Sequence, residues 1–324
     1  MLLSLLPPES VKATRRVEPR YRRFRVRRFA GSSRHADLLD HVRVVHLTDL
    51  HVGRLTSLDV LLTATALTNA QRPDLVVVTG DFVCHGQMHL DRLAFVMSSF
   101  SAPVVCVLGN HDHWSGAREV RWALGRAGAE VLDNASTTLT LRGQKLQLVG
   151  LDDAYTGHAD VGRATNGLRR DIATLGLSHI AEEADGLWAR GVPLVLAGHT
   201  HAGQVTWARL NELCLGRLIG HKYVHGLYGS RCDNGYGSGA VYVGAGVGSS
   251  VVPMRFGEGA RREITVFDLG QEPGSFSEPQ REQPAHRGRE PSPRKQYRRA
   301  AAVVKKERRR ARKQAGTRPA GRLG

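Results

Sequence analysis

The sequence predicts an α/β fold, a four-layer α/β/β/α sandwich with mixed sheets whose ligand site lies at the carboxyl ends of the strands. Apolar runs of strand length alternate with amphipathic segments of helix length in the first half, while the second half is richer in strands and glycine. Polar clusters stand immediately after four of the apolar runs. With 324 residues, 41% of them hydrophobic, the chain has enough apolar surface to bury a large core.

Short runs of Val, Leu and Ile place the strands at Val42–Leu47, Leu75–Thr79, Val104–Leu108, Lys145–Val149, Ile172–Leu177, Leu194–Ala197, Val241–Val243 and Ile264–Phe267. Amphipathic spacing places helices over Ser57–Ala70, Met88–Ser98, Ala117–Ala127 and Ile180–Ala189. Before these elements, residues 1–40 read as a basic leader, with Tyr21, Phe24 and Val26 alternating with arginines like an edge strand. Residues 41–270 form the folded domain. From Gln271 onward the chain is rich in Pro, Glu, Gln and Arg and becomes almost purely basic around Lys305–Lys313, a composition expected to stay disordered.

The net charge of +16 resides in these two ends. Residues 1–40 carry 10 Lys+Arg against 4 Asp+Glu, and residues 271–324 carry 16 against 5; residues 41–270 carry 20 against 21. Basicity therefore bears on what the ends attract and not on the substrate of the middle. Such clusters suit an anionic membrane surface or nucleic acid equally.

Arg22-Arg23-Phe24 and Arg27-Arg28-Phe29 have the look of an export signal, but Ser32, Arg34, His35, Asp37 and Asp40 follow where an apolar segment belongs. No run approaches the roughly 18 apolar residues of a membrane span. Cys84, Cys106, Cys214 and Cys232 have neither disulfide-framework nor zinc-knuckle spacing, and Cys106 sits in a core-like run. A cytoplasmic location is expected, with peripheral attachment to a membrane through the basic ends.

Asp49 and His51 follow the first strand one residue apart, so in an extended chain both side chains point the same way. Gly80-Asp81, Gly109-Asn110-His111-Asp112 and Gly198-His199-Thr200-His201 each follow a further strand. Ligands of open α/β sheets bind outside the carboxyl ends of the strands, so the four clusters converge on one crevice and make it a metal site. Carboxylate, imidazole and amide donors without thiolate suit Mn, Fe, Zn or Mg, and six or seven donors exceed one tetrahedral zinc. Two ions sharing a carboxylate satisfy the count.

In residues and in order, these clusters resemble the four motifs of the calcineurin-like metallophosphoesterase superfamily. The likeness continues through Gly203-Gln204, Tyr223-Val224-His225-Gly226-Leu227-Tyr228 and Gly244-Ala245-Gly246-Val247-Gly248, which resemble the bacterial branch that includes enzymes acting on UDP-diacylglucosamine. It covers residues 41–270 and leaves out both ends. The resemblance implies that Asp49, His51 and His201 bind one metal, that Asn110 and His199 bind a second, and that Asp81 bridges them. It also implies one more histidine on the second metal, for which His179 is the best match.

Two divalent ions about 3.5–4 Å apart would hold a bridging hydroxide and clamp the phosphoryl oxygens during in-line attack, without a protein nucleophile. His111, beside Asn110, is then the natural general acid, and Asp112 orients the loop. His113 could contact substrate; His85, His89, His221 and His225 read as surface or packing residues. Asp152-Asp153 either lies near the metals or caps a turn. Gly244–Gly248 is a phosphate cradle or a tight turn beneath the site, and Arg255 is either a phosphate contact or an exposed arginine.

The expected activity is hydrolysis of phosphodiester or pyrophosphate bonds in a phosphorylated small molecule, including a nucleotide-sugar glycolipid and hence lipid metabolism. A nuclease or cyclic-nucleotide phosphodiesterase on the same scaffold is the alternative, since fold does not fix substrate. A noncatalytic binding scaffold is the reading from another class; the complete donor set argues against it.

Overall fold

The computed structural model describes residues 23–203, 220–232, 239–249, 255, 260–276 and 281–288, with single positions at 297, 301, 304 and 308. Residues 1–22, Gln204, Cys214 and most of Lys305–Lys313 lie outside the described residues.

Two six-stranded sheets face one another. The first has the order β1-β12-β2-β3-β4-β5, and comprises β1 (Phe24–Ala30), β12 (Arg262–Leu269), β2 (Val42–Leu47), β3 (Leu75–Thr79), β4 (Val104–Val107) and β5 (Glu130–Val131). The second has the order β10-β11-β9-β8-β7-β6, with β10 (Gly226–Gly229), β11 (Ala240–Val243), β9 (Leu194–Ala197), β8 (Ala173–Leu177), β7 (Gln144–Gly150) and β6 (Ala135–Leu141). Both are mixed: β2, β3 and β4 run parallel, as do β7, β8 and β9, while β12 meets β2 antiparallel and β6 meets β7 antiparallel.

Strand alternation divides the buried residues among three layers. Val44, Val77, Val105 and Phe267 of the first sheet meet Leu148, Leu175, Leu196 and Tyr242 of the second in a dry layer between the sheets. On the outer face of the first sheet, Val45, Val76, Val78 and Cys106 pack against Leu61 and Ala64 of α2 (Leu58–Ala70), Leu93 and Val96 of α3 (Leu90–Met97), and Val120 and Ala123 of α4 (Asn110–Arg126). Beyond the second sheet, Val149, Val195 and Val241 pack against Ala164 of α5 (Val161–Ala164) and Leu187 of α6 (Ala184–Trp188). Helices outside two stacked sheets make the four layers expected. Strands buried on both faces read as continuous apolar runs, which is why they stand out in the sequence.

The boundaries differ in instructive places. The helix expected from Ala117 extends back to Asn110, across a break at Gly116 with φ 119° and ψ 89°. Ile180–Ala189 is a 3-10 turn over Ala181–Glu183 followed by the short α6. Within the basic leader, β1 forms the edge strand expected there, parallel to β12, and α1 (Ser33–Leu38) follows it. Beyond residue 270, Gln283 bridges to Tyr228 of β10 and its amide donates to the Leu227 carbonyl at 2.8 Å, so part of the C-terminal segment lies along the second sheet. No helix among the described residues is long and apolar enough to cross a membrane.

Phe267 links the layers, stacked on Phe29 at 5.6 Å and edge-on to Tyr242 at 5.4 Å. Phe267→Ala should cost about 3–5 kcal/mol, read as a lower urea midpoint at unchanged slope. A loss under about 1 kcal/mol would mean that the sheets close over the hole.

Candidate metal centre

β2, β3 and β4 of one sheet and β8 and β9 of the other all end at one crevice. Asp49 and His51 follow β2, Asp81 follows β3, Asn110 and His111 open α4 after β4, His179 follows β8, and His199 and His201 follow β9. The loops after β2 and β3 remain paired beyond the strands, with the His51 amide donating to the Asp81 carbonyl at 2.9 Å and Val52 bridging to Val83. All eight residues predicted from the sequence therefore surround the same crevice.

The donor atoms form overlapping groups. His51 Nε2 lies 2.9 Å from His201 Nε2, and Asp49 Oδ1 lies 3.8 and 3.3 Å from these two nitrogens. Asp81, His179 and His199 make a second group and His51, Asp81 and His111 a third, each with ligand atoms within 4.8 Å of one another. Asp81 joins them: its Oδ2 lies 3.5 Å from His51 Nε2 and 3.4 Å from His179 Nε2.

Neighbouring groups aim these donors. Asp49 Oδ2 accepts from the Thr48 hydroxyl at 2.8 Å and the His199 amide at 3.1 Å, while its Oδ1 has no hydrogen-bond donor. Asp81 Oδ1 accepts from the His111 amide at 2.9 Å. His179 Nδ1 donates to the Thr79 carbonyl at 2.7 Å, which fixes the ring and leaves Nε2 facing Asp81. Asn110 Oδ1 is buried without a donor. Buried carboxylate and amide oxygens left without donors beside clustered imidazoles are costly unless a cation satisfies them, so these residues fit divalent metal ions.

Titration follows the same arrangement. Burial lowers His51 to about 3 and holds His199 and His201 well below the usual histidine value, leaving neutral nitrogen donors. Burial pushes Asp49 up to about 6. At His179 burial is outweighed by the carboxylates of Asp81, Asp49 and Asp153, which raise the ring to about 10. The field that would hold a proton there can also hold a cation.

Backbone strain is concentrated here as well. Asp49, His51, Asp81, His199 and His201 adopt φ between 43° and 74°, a left-handed region costly for residues with side chains and common at ligand sites. Two motif glycines are required by close approach. A Cβ on Gly198 would fall 1.9 Å from Thr48 Oγ1, and one on Gly109 would fall 2.3 Å from Asp81 Oδ1 and 2.9 Å from His179 Nε2.

Other sequence expectations resolve differently. Asp112 orients its loop, accepting from the amides of Gly109 at 2.9 Å and Val83 at 3.1 Å. His113 is held 2.8 Å from Asp152, which also pairs with Arg121 at 3.0 Å, and stacks on His158 at 4.3 Å. Asp153 caps a turn through the Thr156 amide at 2.7 Å, while its Oδ1 is buried without a donor. The amides of Gly244, Val247 and Gly248 donate to the carbonyls of Ala197, Thr48 and Asp49, which makes this glycine run the floor of the site. Arg255 straps that floor, donating to the carbonyls of Ala245, Gly248 and Ala260. His221 approaches the centre, its ring 5.6 Å from that of His199, and His225 is tied to Glu263 at 3.0 Å.

Gly109→Ala should displace Asp81 and His179 together. The expected result is a fall in bound metal per chain by elemental analysis, with the far-ultraviolet spectrum retained; unchanged metal content would show that the loop moves aside without cost.

Residues 42–203 match the family model described as calcineurin-like phosphoesterase. The protein named "Uncharacterized metallophosphoesterase YkuE" from Bacillus subtilis (strain 168) is 31% identical over 236 residues, spanning 71% of this chain and 79% of its own length. "Phosphodiesterase YaeI" from Escherichia coli (strain K12) is 30% identical over 234 residues, spanning 70% and 82%. Candidate metal-ligating groups gathered where two mixed sheets end, together with these matches, establish that the chain is a phosphoesterase hydrolase and belongs to the metal-dependent calcineurin-like phosphoesterase family.

Proposed function

We propose that the chain hydrolyses phosphodiester or pyrophosphate bonds at two divalent metal ions joined by Asp81. The observation that carries this is the position of Asp81 Oδ2 between His51 Nε2 and His179 Nε2, at 3.5 and 3.4 Å. Asp49, His51 and His201 would hold one ion, and Asn110, His179 and His199 the other, with Asp81 shared. When bound, such ions neutralise the phosphoryl oxygens and supply a nucleophile from water, and Mn, Fe, Zn and Mg all accept these donors.

The protein supplies the leaving-group proton. His111 Nδ1 donates to the Cys84 carbonyl at 2.7 Å, which leaves Nε2 as the atom that carries and gives up the mobile proton. Its ring is half-buried and 4.8 Å from that of His51, which supports contact with a substrate beside the donor cluster. Thr48, through Asp49, and Thr79, through His179, hold the donors in place during turnover. A nucleotide-sugar glycolipid is the substrate suggested by the bacterial branch the motifs resemble. The basic ends, attracting anionic lipid, would bring the enzyme to a membrane surface.

The test uses the purified 324-residue chain with bis(p-nitrophenyl) phosphate under Mn, Zn and Mg, with bound metal measured alongside. His111→Ala should retain its metal and lose about 10²–10⁴-fold in turnover, whereas Asp81→Ala should lose metal. Equal metal loss in both variants would defeat the general-acid role; fewer than one metal per reconstituted chain, with no turnover, would defeat the dinuclear reading. Competition by UDP-diacylglucosamine against oligonucleotide then separates the glycolipid and nuclease readings.

A further inference from the structure

A cavity of about 580 Å³ lies at the end of the second sheet opposite the metal centre. Ile172 and Thr174 at the start of β8, Pro193 just before β9, Ser230–Cys232 after β10 and Ser32–Arg34 at the start of α1 contribute to its walls. β8 and β9 run parallel and lead directly to His179 and His199, so the cavity and the metal centre occupy the two ends of the same strands.

Five arginines line the cavity, Arg34, Arg169, Arg170, Arg190 and Arg231, and among the described residues no carboxylate does. Arg169 pairs with Asp171, and Arg231 pairs with Glu282 at 2.8 Å. Arg34, Arg170 and Arg190 make no ion pair with a described residue; Arg34 instead donates to the Arg170 carbonyl, which ties the two segments together. The local excess is therefore three positive charges. The charge is drawn from four separate stretches of sequence, whereas residues 41–270 as a whole carry 20 basic against 21 acidic residues.

One sign of charge on a concave wall focuses the field inside it and concentrates anions. Guanidinium groups match phosphate geometry through paired N–H donors. The remainder of the wall includes apolar surface from Leu168, Ile172, Pro193 and Trp188, and the volume falls in the range of sites for small metabolites, roughly 300–1,000 Å³. We propose that this cavity is a second ligand site, separate from the metal centre, for a small molecule carrying two or more phosphate groups.

The test is calorimetric titration of the full chain in excess EDTA, which removes the metal-dependent contribution, with pyrophosphate and with ADP as probes. Both anions should bind the wild type and Asp81→Asn alike. Affinity should fall at least tenfold in R34A/R190A and in the single variant Arg190→Glu, whose exposed side chain can be reversed without disturbing the core. Retained melting temperature and retained turnover of bis(p-nitrophenyl) phosphate would show that the variants are folded. Tighter binding of ADP than of pyrophosphate would assign the apolar wall to the organic part of the ligand; equal binding would assign recognition to the phosphates alone, and either supports the site. No binding of either anion by the wild type, or equal affinity in the arginine variants, would overturn the proposal and leave the hydrolytic site untouched.

Discussion

The geometry of the site depends on one carboxylate held between the two sheets. Asp81 lies at the end of β3 in the first sheet, and its partner His179 lies at the end of β8 in the second. One oxygen is fixed by the His111 amide, so the other must face the histidines. Burying a carboxylate this completely is favourable only with compensating positive charge. The dry layer of Val, Leu and Phe between the sheets keeps their ends close enough for that compensation to come from both sides.

That closeness has a local cost. Five of the donor-bearing residues stand in the left-handed backbone region, at roughly 1–3 kcal/mol each. Regular strands on three sides keep the strained turns from relaxing, and glycine appears where even a methyl group would strike a donor. The floor formed by Gly244–Gly248, braced by Arg255, closes the site beneath Asp49. Rigidity is thereby placed where donor positions need to be fixed, while His111, His199 and His221 are less completely buried than Asp49, His51 and His179.

Much of this was legible in the sequence because the central strands are buried on both faces and the donors follow them at once. Val76 and Val77 point to different layers, yet both are apolar, and the unbroken run marks the strand. β6 was not legible: its sequence ASTTLTL alternates between half-buried and exposed positions and uses threonine where an inner strand uses valine. β10 is only four residues long and begins and ends with glycine. The first turn of α4 was hidden by Gly116 and by a motif that reads as a loop. Within the site, order and spacing revealed the donors. The His113–Asp152–Arg121 cluster joins distant positions by single contacts, and the Arg255 strap binds the carbonyls of an irregular loop, so neither leaves a periodic trace.

The basic N-terminal segment also acquires a mechanical meaning. β1 lies alongside β12 over its full length, from Phe24 opposite Arg262 to Ala30 opposite Asp268. Without it, β12 would present an open row of amides and carbonyls beside Ile264, Val266 and Phe267, a template for pairing with another copy. A chain begun at residue 41 would retain every donor of the metal centre and yet expose an adhesive margin. The arginines of β1 are thus part of a selvage, keeping the woven edge of the sheet from catching on its neighbours.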